Sequence, residues 1–247
     1  MTEHSRLRRL VAHMEAIHGA IDCAVEDYSN NPGNTRPTCG RGCAGCCYQL
    51  VASSVVECIP IAAESLANPI RYERVLDVLK LHADIVQDPE MDTAKWFLSQ
   101  RQCAFLNDNS ECTIYSRRPI ACRTLQVIGD PTGCYPDSGM RKVTMVDFSE
   151  INKMAYADHR KLARGVNLPH EFQAPMPIAM LWSTKICTQG IDSFLKDLRD
   201  TSYMNREENI RYWARMQAPI HAAKVKEQDN DVHTETAPGG ATPMGKA

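Results

Sequence analysis

Eleven cysteines occur in this chain of 247 residues, and eight of them fall in two blocks. The first block, TCGRGCAGCC at residues 38–47, holds Cys39, Cys43, Cys46 and Cys47 within nine positions. The second spreads Cys103, Cys112, Cys122 and Cys134 over a turn-rich stretch. Metal–thiolate sites favour short chelating pairs, because a two- or three-residue loop points both sulfurs inward at little entropic cost. Remote cysteines then close the shell, as an all-cysteine zinc site or an iron–sulfur cluster requires. A chain that spends its cysteines this way must bring residues 39–47 against residues 103–134. That requirement constrains the fold more than any other feature of the sequence.

Disulfides are the competing use. An odd count forbids complete internal pairing, and the compartment argues against bridges too. The first twenty residues, MTEHSRLRRLVAHMEAIHGA, contain no apolar run followed by a small-residue cleavage site. No window approaches the roughly 18 apolar residues of a membrane span. The expectation is a cytoplasmic protein, where thiols stay reduced and clustered cysteines bind metal or do chemistry. Hydrophobic residues at 43% and charged residues at 23% suit a soluble globular domain with a real core. A formal net charge of −2 predicts neither a nucleic-acid partner nor an anionic membrane surface. The cluster Arg6, Arg8 and Arg9 shares its helix with Glu15, Asp22 and Glu26, and reads as a solvated face.

The remaining pattern is helical. Leu7, Leu10, Val11, Met14, Ile17, Ile21, Ala24, Val25 and Tyr28 recur at three- and four-residue steps, an amphipathic helix stopped by Asn30-Asn31-Pro32-Gly33. Cys23 is expected to pack beside that stripe as a small hydrophobe. Tyr48 to Val56 reads as a strand. A helix over about 58–67 follows, placed to begin near Pro60 even though Ser54 and Glu57 have capping-box spacing. Asn68 and Pro69 open another helix, reaching about Gln87. Thr93 to Gln100 predicts a short helix, and residues 143–146 a short strand. A helix capped by Asp147 and Glu150 ends at Gly165, and Pro177 to Cys187 is a buried helix. Asn205 caps a last helix with Ile210, Trp213 and Met216 on its apolar positions. The fold class expected is mostly α: one helical domain over residues 1–217 with two irregular cysteine segments and a few short strands. Residues 218–247, polar and without periodicity, are expected to be disordered.

Of the eleven cysteines, Cys23, Cys58 and Cys187 stand alone in helices and read as packing residues. The clustered ones do not, since a glycine-rich loop offers little core to pack into. Cys43 to Cys46 is a C-x-x-C pair, but it follows a loop rather than the strand of a thioredoxin-like unit. Cys39, Cys43 and Cys46 also have the spacing of radical S-adenosylmethionine enzymes. There an aromatic residue precedes the last cysteine; here Gly45 does, and the alternating strands and helices of that fold are absent. His159 and His170 are isolated and read as surface or core residues. Neither cysteine segment contains a histidine, so ligation is by thiolate alone, which suits zinc, iron–sulfur or cuprous copper.

Taken together, the two segments resemble the YkgJ-type cysteine-cluster family, whose members are described as chelating zinc or iron. The resemblance rests on Cys39, Cys43, Cys46 and Cys47; on Cys103-Ala-Phe105-Leu106; on Cys112-Thr-Ile114-Tyr115; on Arg118-Pro119; on Cys122-Arg123; and on Cys134. It spans about residues 39–134. It implies a metal held by those eight cysteines, as an iron–sulfur cluster or a zinc ion. Phe105 and Leu106 would anchor the loop beside Cys103, Asn107 to Ser110 would fold Cys112 back, and Pro119 would open a helix presenting Cys122. Arg118 and Arg123 would balance thiolate charge or lie on the surface. Eight thiolates exceed what one ion needs, so there are two sites or some are spare, Cys47 being the first candidate to stand outside. The same cysteine pattern occurs in flagellin lysine methylases, which suggests redox chemistry or modification of a protein substrate. The alternative is a structural zinc module that serves a protein partner; metal storage fits less well with so large a core.

Overall fold

The computed structural model describes residues 2–138, 141–168 and 173–200, and among them the chain is mostly helical with two small two-stranded sheets. The first helix, α1 (Glu3–Asn30), starts at Thr2, whose hydroxyl accepts the Ser5 N–H. Its buried stripe is Leu10, Met14, His18 and Ile21, at steps of four, four and three. It ends where Asn31 turns extended ahead of Pro32, as the pattern predicts. Two expectations about α1 fail. Cys23 is exposed, because two residues beyond Ile21 is about 200° around a 3.6-residue helix. Arg6 does not lie on a solvated face: its guanidinium donates to the Val166 carbonyl at 2.7 Å and pairs with Asp192 at 3.4 Å.

After the first cysteine block come β1 (Ala52–Ser54) and α2 (Val55–Leu66). Next are α3 (Pro69–Val86), α4 (Thr93–Leu98) and α5 (Ile120–Thr124). The second half contains β2 (Val127–Ile128), β3 (Thr144–Met145), α6 (Ser149–Gly165), β4 (Gln173–Pro175), α7 (Met176–Gln189) and α8 (Ile191–Asp200). β1 and β4 pair antiparallel, with Ala52 opposite Pro175 and Ser54 opposite Gln173. Each strand runs directly into a helix, so α2 and α7 leave the sheet together and pack along their lengths. Ile59, Ile61, Ala62, Ala179, Met180 and Ile186 fill that seam, all at most 1% exposed. The Ser183 hydroxyl donates to the Val55 carbonyl at 2.9 Å across it. α3 and α8 cover α7, and α1 packs against α2 and α6. No helix among the described residues is long and apolar enough to cross a membrane.

The start of α2 corrects the expected boundary near Pro60. The helix begins at Val55 and carries Pro60 inside it. The Ser54 hydroxyl accepts the Glu57 N–H at 3.2 Å, and the Glu57 carboxylate accepts the Ser54 N–H at 2.9 Å. A proline at this position forfeits one backbone bond. The capping box meets two buried donors and carries Val55 and Val56 into the core, which outweighs that loss. The same turn shortens the expected strand from Tyr48 to Val56 to the three residues of β1. Asn68 caps α3 as expected, through the Arg71 N–H. α6 begins one turn position later than the Asp147 cap implied: Phe148 is the cap residue, and Asp147 accepts the Ser149 N–H at 2.9 Å. α8 was not expected. It is short and amphipathic, with Ile191 and Phe194 fully buried, and the Glu3 carboxylate accepts the Ile191 N–H. His159 is a core residue, buried and 2.5 Å from the Ser54 hydroxyl. His170, the helix expected from Asn205 and the tail at 218–247 lie outside the described residues.

Candidate metal centre

The first cysteine block is pinned to β2 at its N-terminal end. The backbone N–H and hydroxyl of Thr38 both donate to the Val127 carbonyl of β2, at 2.8 and 3.0 Å. The Val127 N–H in return donates to Cys39 Sγ at 3.1 Å. A turn closes from Cys43 N–H to the Gly40 carbonyl, and a 3₁₀ turn over Gly45–Tyr48 carries Cys46 and Cys47. Gly45 is required by space: a Cβ there would stand 2.5 Å from Cys134 Cβ. That contact, with the Ala44 N–H donating to the Tyr135 hydroxyl at 3.3 Å, brings Cys134 to the block.

The second block joins from the other side. The Cys103 N–H donates to the Cys47 carbonyl at 2.7 Å, a backbone stitch between the two segments. Phe105, 2% exposed, anchors the loop in the core, while Leu106 stays half-buried and bridges antiparallel to Cys112. The Asn107 side chain accepts the N–H groups of Asn109 and Glu111 at 3.0 and 2.8 Å, so the expected turn does fold Cys112 back toward Cys103. Pro119 caps α5, which presents Cys122. The Ile120 N–H at the head of α5 donates at 2.8 Å to Glu57, the same buried carboxylate that caps α2. One side chain thus holds two helix starts.

The result is one gathering of eight thiols. Cys46 lies within electrostatic reach of each of the other seven. Six of them (Cys43, Cys46, Cys47, Cys103, Cys112 and Cys122) line a single cavity of about 40 Å³. Its floor includes Val51 and Met176, joined by the Met176 N–H to Val51 carbonyl bond of 2.9 Å, so the β1–β4 sheet supports the site directly. Cys39 and Cys134 stand off this wall. Cys47, the residue expected to stand outside, is on it. Cys58 and Cys187 belong to the core around α2 and α7, and with exposed Cys23 they take no part.

The thiols titrate in two classes. Cys43 is lowered to about 6, first by the hydrogen bond from the Cys39 thiol and also by the Gly45 N–H. Cys46 is lowered as well, chiefly by the Cys47 thiol and further by Arg118. Their donors, Cys39 and Cys47, are raised correspondingly. Removal from water pushes Cys103 up to about 12 and raises Cys112, Cys122 and Cys134. The cation at the site is Arg118, stacked 3.7 Å from the centre of the Tyr115 ring and favouring the thiolates of Cys46, Cys112 and Cys122. Arg123, expected either to share that role or to lie on the surface, does neither: it is only 2% exposed and is spent elsewhere. It pairs with Asp22 and donates to the carbonyls of Ser116 and Arg118, clamping α1 to the second segment.

A family model for the CxxCxxCC group, described as "Putative zinc- or iron-chelating domain", matches residues 38–162. The chain belongs to this family. No curated protein and no solved structure matches it. The CxxCxxCC match extends beyond Cys134 into α6, as far as Leu162, and α6 packs on α1 and α5.

The CxxCxxCC domain suits a soft metal by its donor set: thiols only, six on one wall, one guanidinium beside them. Among the described residues no three His, Cys, Asp or Glu side chains already converge as an ion site. The thiols instead hydrogen-bond in pairs, Cys39 with Cys43 and Cys46 with Cys47. Glu57 is the functional neighbour that sequence reasoning did not find. Its signal was the Ser54-x-x-Glu57 spacing, set aside because of Pro60.

Proposed function

We propose that this CxxCxxCC domain holds a metal centre through thiolates drawn from both cysteine segments, as an iron–sulfur cluster or as zinc. The observation that carries the reading is the six-cysteine cavity, to which residues 43–47 and 103–122 both contribute. Cys43, Cys46, Cys47, Cys103, Cys112 and Cys122 are the inner ligand candidates, with Cys39 and Cys134 outside the cavity they line. Pairs of thiols that hydrogen-bond one another are freed by deprotonation, and rotation about χ1 then turns the sulfurs inward. Arg118 supports the reading because several thiolates around a divalent ion leave net negative charge. An iron–sulfur centre would supply electron transfer, in redox chemistry or in modification of a protein substrate.

A structural zinc module serving a protein partner is the second reading. It is favoured by the thiol-only donor set, which suits a closed structural zinc site as well as a cluster. The visible spectrum of anaerobically purified protein decides between them. Broad absorbance bleached by dithionite supports the iron–sulfur reading. A colourless protein with stoichiometric zinc supports the structural one.

A further inference from the structure

A second cavity adjoins the thiol cavity. It measures about 310 Å³ and is walled by Asp22 and Glu26 of α1, by Arg36 and Cys39 of the first loop, and by Tyr115 and Arg118. Tyr115 and Arg118 line the thiol cavity as well. The stacked guanidinium and phenol are therefore the partition between the two spaces.

The charges around this cavity are only partly spent. Asp22 pairs with Arg123. Among the described residues Glu26 and Arg36 have no ion-pair partner. Arg118 has no carboxylate partner either, but its Nε donates to the Tyr115 carbonyl at 3.0 Å and its charge also faces Cys46, Cys112 and Cys122. One unpaired carboxylate, one unpaired guanidinium and a second guanidinium held through its Nε thus share one space at the small end of the roughly 300–1,000 Å³ range of ligand cavities. A simple anion would satisfy the arginines and leave Glu26 facing like charge. A simple cation would do the reverse. A molecule bearing both an ammonium and a carboxylate satisfies all three, and charge-assisted hydrogen bonds are the strong ones. We propose that this cavity binds a free amino acid as its zwitterion, with the carboxylate toward Arg36 and Arg118 and the ammonium toward Glu26. The ligand would then have Cys39 in its wall and lie one side chain away from the cavity of the other thiols.

The test uses the full chain as purified. The walls are protein side chains, so binding is read whatever metal the sample holds. The twenty common free amino acids, with acetate and methylammonium as controls, are screened by thermal shift, and those that stabilise are titrated by calorimetry. The expected result is saturable binding of at least one amino acid and of neither control. Arg36→Gln and Glu26→Gln should each weaken it by about tenfold or more, the loss of one charge-assisted hydrogen bond. Arg36 is exposed, so its replacement leaves the fold intact, and Arg36→Lys should restore part of the affinity. Tighter binding in Glu26→Gln would mean that the ligand is held by its anion alone, which overturns the zwitterion. Failure of all twenty amino acids to bind overturns the site.

Discussion

Glu57 is the side chain whose removal should damage fold and metal centre together. It is fully buried, and burial holds its carboxyl above the usual carboxylate range despite the N–H donors around it. One oxygen meets the Ser54 N–H at the start of α2, the other the Ile120 N–H at the start of α5, at 2.9 and 2.8 Å. Glu57→Ala strips both acceptors and leaves a void. With each buried donor left unmet costing about 1–3 kcal/mol, the loss should be about 3–6 kcal/mol. Glu57→Gln keeps the shape but points an amide donor at one N–H, for a loss of about 1–3 kcal/mol. Because α5 carries Cys122 only two residues beyond Ile120, both changes should also lower bound metal. Urea unfolding with metal content measured on the same samples checks both arms. If Glu57→Gln stays within about 0.5 kcal/mol of the parent protein and keeps its metal, the carboxylate does not tie the two helices and the reasoning fails.

Cys23→Ser, at an exposed position outside the cluster, should leave melting temperature and metal content unchanged; a loss of metal would place Cys23 in the centre. Arg118→Gln should retain the fold but weaken metal retention against a chelator, because it removes the cation beside Cys46, Cys112 and Cys122; unaltered retention in a competition titration would remove Arg118 from the site. His18 is held at about 3, against an ordinary 6.5, by burial and by Arg123, with Arg117 and His159 adding to it and Asp22 opposing. The unfolded chain therefore takes up a proton below pH 6.5 that the folded chain refuses, and stability falls on acidification. At pH 5 this amounts to ~2 kcal/mol. The urea midpoint of His18→Gln should accordingly fall less between pH 7 and pH 5 than the parent's does, and equal falls would contradict the assignment.

Much of this architecture was legible because it is local. The three- and four-residue steps from Leu7 to Tyr28 specify α1, and Asn68-Pro69 marks the start of α3, since caps and periodicity act within a turn or two. The gathering of eight cysteines was legible from spacing and motif. What failed was decided at long range. The start of α2 carried a local signal, the Ser54–Glu57 capping box, but the further bond from the Ile120 N–H that ties the same carboxylate to α5 lies 63 residues away. Arg123 turns from the thiols because Asp22 on α1 claims it, and Arg6 leaves the solvent because Val166 and Asp192 come to meet it. A one-dimensional pattern holds no record of such partners. Cys47 lines the cavity beside Cys46 because adjacent residues on a 3₁₀ turn can both face one space.

The central claim is that thiolates of both segments hold one metal centre, and the direct test is metal per chain in anaerobically purified protein and in two single variants. Cys46→Ser removes the thiol at the middle of the first segment, and Cys122→Ser removes one from the second. The parent should carry about one equivalent or more of iron or zinc, and each variant should lose most of it together with stability, because binding energy here is folding energy. Less than about a tenth of an equivalent of iron, zinc and copper in the parent, or full metal in either variant, would contradict the account.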